Sequence, residues 1–260
     1  METLHFERYE FKYFVPEDRT QAIRDFIRPY TLSDEHAAHS KGKRYQIYNL
    51  YLDSPGLDLY QASLHDALDR FKLRIRWYDD EANGPFYCEI KRKLQRVIIK
   101  DRTRVSQDEF RTLLRGDLGC DGHLEGRKTF EVFLSRALKT GVIPTVFVRY
   151  SREPYESRFG EYARLTLDRE MSFQPASPEG LLPDPRAWTY VDAADDMGDL
   201  RCATLLELKF TRDFPRWMSD LVAEFDLERI GYSKYGHAIG HRVGALSSGL
   251  ELLQRSINTR

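Results

Sequence analysis

At 260 residues the chain suits one large domain or two small ones, and an all-β barrel can use that whole length. Forty basic residues nearly cancel 41 acidic ones, leaving a net charge of −1, which argues against a chain coated for nucleic acid or membrane. Cys88, Cys120 and Cys202 show neither disulfide nor zinc-ligand spacing and point to a reducing compartment. The N-terminal "METLHFERYEFKYF" has no apolar signal core, and no stretch approaches 18 apolar residues, so the expectation is a soluble, cytoplasmic protein.

In chain order, "HFERYEFKYFV" alternates as a strand with Arg8, Glu10 and Lys12 on one face. Pro16 then opens "PEDRTQAIRDFIRPY", a short amphipathic helix with Ile23, Phe26 and Ile27 on its apolar stripe. A polar loop, "SDEHAAHSKGK", leads to the strand "RYQIYNLYLDSPG", ended by a Ser-Pro-Gly turn. A helical piece near Leu57–Leu64 precedes the third strand, "DRFKLRIRWYDD", and "PFYCEIKRK" and "VIIKDRTRV" form a hairpin around Gln95. "SQDEFRTLLRG" reads as a helix capped by Ser106 with Phe110, Leu113 and Leu114 at helical spacing, and "GRKTFEVFLSRALKTG" as another, closed by Gly141. "TVFVRYSR", "EYARLTLD" and "ATLLELKFT" are strands, with a Pro/Gly/Asp-rich excursion over 174–199 before the last of them. The C-terminal region is helical from about Pro215, with "SKYGHAIG" breaking it near Gly231. Nothing in the composition divides residues 1–260 into two domains.

The strands share a pattern. Lys72, Arg74 and Arg76 alternate with Phe71, Leu73, Ile75 and Trp77; Glu89 and Lys91 share a face of the next strand, and Ile98, Lys100, Arg102 and Arg104 a face of the one after. Arg164, Thr166 and Asp168 share a face, as do Glu207 and Lys209, and Arg149 also lies inside a strand. One account is a sheet with an ordinary solvated outer face. However, like charges opposite one another across strands are unfavourable, so so many cations inside strands call for an anion among them. An eight-stranded barrel has an interior wide enough for side chains and one ligand. The sequence therefore predicts an α+β fold: an eight-stranded antiparallel β-barrel forming a tunnel, cations inside, apolar faces outside under flanking helices. Phosphate suits such a lining, since Arg matches its oxygens with a fork and Lys adds point charges. Within it Glu207 has two readings, a ligand for a divalent metal bridging phosphates or an ion-pair partner of a nearby lysine.

"RYEFKY", "FKLRIRWY", "CEIKRK" with "IIKDR", "VRYSR" with "RLTLD", "LLELKF" and "SKYG" occur in this order between Phe6 and Gly236. The ordered set resembles the catalytic domain of vacuolar transporter chaperone (VTC) polyphosphate polymerases, within the CYTH-like triphosphate tunnel metalloenzyme superfamily. That resemblance implies a transferase moving the terminal phosphoryl group of ATP onto growing inorganic polyphosphate. It implies phosphate contacts from Lys12, Lys72, Arg74, Arg76, Lys91, Lys100, Arg102, Arg149, Arg164, Lys209 and Lys234, all but Lys72 and Arg102 being also expected to serve catalysis. It further implies Glu207 as ligand to Mn2+ or Mg2+, with Glu10, Glu89 and Asp168 as additional acidic candidates. Where the wider superfamily often opens with Glu-x-Glu-x-Lys, this chain has Arg8-x-Glu10-x-Lys12, which suits the polymerase branch and puts a second metal site in doubt. Expected partners are ATP and polyphosphate, with no nucleic acid and no spanning segment; a membrane partner is left open.

Phosphoryl transfer depends mainly on positioning and charge neutralisation. A phosphate acceptor is already ionised near neutrality, so no general base is needed, and the histidines, His65 and His237 included, show no catalytic spacing. An inorganic triphosphatase in the same tunnel, with Glu10 or Glu89 orienting a water, is the alternative, as is a polyphosphate-binding module without turnover. Trp77, Tyr78 and Tyr87 read mostly as outward packing or strand ends.

Overall fold

The computed structural model describes residues 8–34, 37, 40, 42–78, 85–95, 97–106, 108–109, 111, 128–176, 182–190 and 203–241. The strands are β1 (Arg8–Pro16), β2 (Thr31–Ser33), β3 (Tyr45–Asp53), β4 (Asp69–Tyr78), β5 (Phe86–Leu94), β6 (Val97–Val105), β7 (Ile143–Ser157), β8 (Ala163–Pro175), β9 (Thr189–Tyr190) and β10 (Ala203–Thr211). The helices are α1 (Thr20–Ile27), α2 (Asp58–Leu64), α3 (Lys128–Thr140) and α4 (Arg216–Glu224), and a further helical stretch, α5, runs over 234–241.

Eight strands form one antiparallel path, β1-β10-β8-β7-β3-β4-β5-β6, with the short β2 and β9 added beside β7 and β8. The eight long strands are those read from the sequence; β2 and β9 are additions too short to leave a period. Among the described residues no ladder joins β1 to β6, so the hydrogen-bonded sheet is not closed. Side chains link its two ends instead, Lys91 of β5 lying 3.0 Å from Glu10 of β1.

Apolar residues face outward and lie under helices. Leu73, Ile75 and Trp77 of β4, with Cys88 and Ile90 of β5, pack against Phe130, Phe133, Leu134 and Ala137 of α3. That spacing of three, one and three residues is one face of a helix. Tyr13, Leu165, Leu167, Leu206 and Leu208 are covered in the same way by Ile23 and Ile27 of α1 and by Trp217, Met218 and Leu221 of α4. Each fully buried Leu, Ile or Phe contributes roughly 1.5–3 kcal/mol, and these two outer layers offset the desolvation of the charges within.

Local signals set the element ends. Pro16 keeps an extended backbone before the short helical turn Glu17–Arg19 that leads into α1. Gly141, at φ +61°, ends α3: its N–H bonds to the Leu138 carbonyl and that of Val142 to Ala137, a pairing that needs a left-handed residue. Ser106 and Glu109 exchange reciprocal side-chain to backbone hydrogen bonds of 3.2 and 2.6 Å, a capping box. Phe110, Leu113 and Leu114, most of the 174–199 excursion, and Cys120 and Cys202 lie outside the described residues. From Pro215 the chain is helical in two pieces, α4 and α5, interrupted around Gly231, and the "SKYG" stretch lies at the start of the second.

α5 is a stopper inside the wrapped sheet. Tyr235, Ala238 and Ile239 pack inside it on Ile47, Tyr51, Val146, Val148 and Phe173. Asp53, wholly buried, fastens the stopper: its carboxylate accepts the backbone N–H groups of Ser54, Leu59 and Tyr60 at 2.8–2.9 Å and the hydroxyl of Tyr235.

Candidate functional site: a cationic tunnel

The alternation of the strands decides which side chains meet inside. Pairing sets Lys12 opposite Glu207, Glu10 opposite Lys209, Lys209 opposite Arg164 and Asp168 opposite Arg152. On the other wall Arg76 stands opposite Asn49, Arg74 opposite Tyr51 and Glu89, and Lys91 opposite both Lys72 and Lys100. Between the walls lies a cavity of about 530 Å3, within the range of small-molecule sites. Among the described residues eleven lysines and arginines line it against five carboxylates. That excess of positive charge around one cavity is the property the alternation predicted.

The carboxylates fall into two hubs. Glu89, fully buried, holds Arg74 at 2.6 Å, Lys100 at 2.8 Å, Arg102 at 3.6 Å and Arg76 at 3.8 Å. Burial alone would raise its pKa, but Arg76, Arg74 and Lys100 hold it well below the usual carboxylate range. Glu207 forms the second hub, with Lys209 at 2.7 Å, Lys234 at 2.8 Å, Arg152 at 3.1 Å and Lys12 at 3.9 Å. Its pKa too is depressed against the effect of burial, by Lys209, Lys234 and Arg152. Asp168 sits behind it, held by Lys234 at 2.6 Å and Arg152 at 2.7 Å. Glu10, between the hubs, is kept ionised against burial by Lys91 and Lys12.

Two lysines are displaced the other way. Burial, with Lys91, Lys12, Arg70 and Arg74 nearby, pushes Lys72 down to about 7. Its ammonium bonds to the Ser233 hydroxyl at 2.7 Å, and no carboxylate lies within ion-pair distance among the described residues. Lys100 is also pushed down to about 7, by burial and by Arg76 and Arg74, with Glu89 opposing. A cation this close to losing its proton is one whose charge an incoming anion would restore.

Of the sequence-derived candidates, Lys12, Lys72, Arg74, Arg76, Lys91, Lys100, Arg102, Arg164, Lys209, Lys234, Glu10 and Glu207 line the cavity. Glu89 and Asp168 lie beneath the lining and hold its cations in place. Arg149 requires a correction: it points away from the cavity, stacks on Trp188 at 4.4 Å and bonds to Ser172 and Tyr190. Arg152 occupies the lining instead. The two arginines are three apart and so face opposite ways along a strand, and the pairing of β7 with β8 shifts register between Arg149 and Ser151.

Three further contributors carried little sequence signal. Tyr150 accepts a bond from Arg76 at 3.2 Å, and Arg152, Arg76 and Lys234 bring its pKa down despite its burial. Tyr51 accepts one from Arg74 at 3.1 Å and stacks on Tyr235 at 4.9 Å. Ser233 holds Lys72. Among the aromatic residues, Trp77 is in the outer core as expected, whereas Tyr78 lines the cavity and Tyr87 lies behind Arg102.

For a divalent metal, no three acidic, histidine or cysteine side chains converge among the described residues. Magnesium and manganese, however, are commonly held by one or two carboxylates with substrate phosphates completing the shell. Glu207, a carboxylate on the cavity wall, fits that donor set, and it fits a metal brought with phosphate better than a resident one.

An antiparallel sheet wrapped round a cationic lumen, apolar outside and charged within, defines a cationic tunnel fold. A family model described as the VTC domain matches residues 7–241, and the chain belongs to that family. Among curated proteins none matches. Among solved structures, a Hippeastrum protein named for adenylyl cyclase, with dominant triphosphatase activity, is similar at 16% identity. The alignment covers 90% of this chain and 96% of that one, with a TM-score of 0.49. A Bacillus halodurans protein named for adenylate cyclase is similar at 13% identity over 87% of this chain and 95% of its own, TM-score 0.48. Likenesses of that size bear on neither substrate nor reaction.

Proposed function

We propose that the chain is a polyphosphate polymerase, transferring the terminal phosphoryl group of ATP to the end of an inorganic polyphosphate chain inside the tunnel. The observation that carries this reading is the convergence of eleven cations, among the described residues, on one cavity in a VTC-domain protein. In the reaction, a terminal phosphate oxygen of the acceptor forms a bond to the γ-phosphorus. The bond from that phosphorus to the β,γ-bridging oxygen breaks, and ADP leaves with the electron pair.

Arg74 and Arg76, fixed by Glu89, Tyr51, Asn49 and Tyr150, are set to grip phosphate oxygens from one wall. Lys209, Arg152 and Lys234 face them from the other, and Lys91 and Lys12 lie between. Such pre-positioned charges neutralise the transferring group without reorganising. Glu207 would hold Mn2+ or Mg2+ together with substrate oxygens, a cation that polarises the phosphoryl group when bound. No histidine lines the cavity among the described residues, in keeping with an acceptor that needs no deprotonation.

Incubation with ATP and Mn2+, followed by gel analysis of the products, tests the reading. Long phosphate chains support it. Orthophosphate released from tripolyphosphate would make the chain a triphosphatase, in which Glu10, on the lining, could orient water while the sequestered Glu89 could not. Tight binding of polyphosphate without metal-dependent turnover would make it a binding module.

A further inference from the structure

Towards the C-terminal end of β4 the cavity carries a group of rings that holds one of its cations, Arg102. Lys72 bonds to Ser233 near α5, and Tyr78 is six residues further along the same strand, about 20 Å away at strand rise. There Tyr45 and Tyr78 meet edge to face at 5.7 Å, and Tyr78 and Tyr87 at 5.9 Å. The guanidinium of Arg102 lies 3.6 Å from the centre of the Tyr87 ring and 5.6 Å from that of Tyr78. Tyr78 and Arg102 line the cavity and Tyr87 does not, so Arg102 is layered between Tyr87 and the lumen.

We propose that Tyr78 and Arg102, backed by Tyr87, form a nucleobase subsite that stacks the base of a nucleoside triphosphate whose phosphates lie deeper in the tunnel. The inference rests on the reading of the cavity as a triphosphate site. Arg102 connects the two regions, since it is also 3.6 Å from Glu89, the carboxylate that fixes Arg74 and Lys100. Phosphates held by Arg74 and Lys100 leave the nucleoside end pointing towards the rings. A guanidinium supported on one face by tyrosine offers its other face to a flat π-system, and an aromatic ring beside it adds a second stacking surface.

Stacking is indifferent to base identity, because every base has a π-face. The subsite therefore distinguishes a nucleotide from inorganic phosphate chains more than adenine from guanine. This gives the donor a mark that the growing product lacks, although both present similar phosphates to the same cations.

The test compares the full-length chain with its Tyr78→Ala, Tyr87→Ala and Tyr78→Phe variants by calorimetric titration at fixed pH and salt. ATP, GTP and inorganic tripolyphosphate are the probes. Each alanine variant is expected to bind ATP on the order of tenfold more weakly, with tripolyphosphate affinity within twofold of the parent. Tyr78→Phe, which keeps the ring, should match the parent for all three probes, and GTP should follow ATP. An unchanged ratio of ATP to tripolyphosphate affinity in both alanine variants overturns the subsite while leaving the triphosphate reading in place. Parallel loss of both ligands overturns it too, reducing the rings to a brace for Arg102. Failure of the parent to bind either ATP or tripolyphosphate would sink the underlying reading and this inference with it.

Discussion

Lys234 places its ammonium 2.8 Å from Glu207, joining α5 to the strand β10 that crosses the tunnel wall. Neighbouring carboxylates raise the lysine's pKa well above its ordinary value despite burial, so it enters the site as a permanent cation. Glu207 in turn is shared with Lys209 and Arg152, and its loss would leave several buried charges without their counter-ion.

Glu207→Ala is therefore expected to do more than abolish metal-dependent turnover. Breaking a buried ion pair by removing one partner commonly costs about 3–5 kcal/mol, so the melting temperature should fall. Without metal, the unmatched cations should bind polyphosphate more tightly than the parent does, and added polyphosphate should recover much of the lost stability. Turnover assays, thermal melts and metal-free titrations check the three effects; undiminished turnover would remove Glu207 from metal binding.

Arg149 and Arg152 make a matched comparison within one strand. Arg152→Ala should weaken polyphosphate binding at least tenfold, because it removes a cavity cation and loosens Glu207 and Asp168. Arg149→Ala should leave affinity within twofold, its side chain being stacked on Trp188 outside the lumen. Equal losses in a binding titration would contradict the assigned faces.

Affinity should also depend on pH. Lys72 in the empty tunnel loses its proton near 7, through burial and the cations around it. A bound polyanion favours the charged form and raises that value, so above pH 7 binding takes up a proton and weakens as pH rises. The slope should approach tenfold per pH unit for each proton, with Lys100 contributing alongside Lys72. Lys72→Met should bind more weakly at pH 6.5 and show a shallower decline to pH 9. A decline as steep as that of the parent would exclude Lys72 as a source.

Asp53 offers a test of the stopper. Tyr235→Phe removes one hydrogen bond to a buried carboxylate, at a cost of roughly 1–3 kcal/mol, whereas Asp53→Ala strands three backbone donors as well and should cost more. Both changes should loosen the residue next to Tyr235, Lys234, and lower polyphosphate affinity. Thermal melts together with titration check the order of the effects.

Much of this molecule was legible in the sequence. Strict alternation in "FKLRIRW" and "LLELKF" forces cations to one side and apolar residues to the other, and the helical spacing of Phe130, Phe133 and Ala137 supplies the cover. Because the period of a strand is two, one known inward residue fixes its whole face, and this settled Lys72, Arg74, Arg76, Glu207 and Lys209 together. Tertiary structure alone decided matters where both faces carry polar groups or where partners are remote in sequence. "VRYSR" has an arginine on each face, so only pairing with its neighbours chooses Arg152 over Arg149. Tyr78, near the end of its strand, was not assigned to the lumen until the wrapped sheet brought Tyr45 and Arg102 beside it. The Asp53–Tyr235 and Glu207–Lys234 contacts span 182 and 27 residues, and spacing along a chain carries no record of which carboxylate a buried cation will choose.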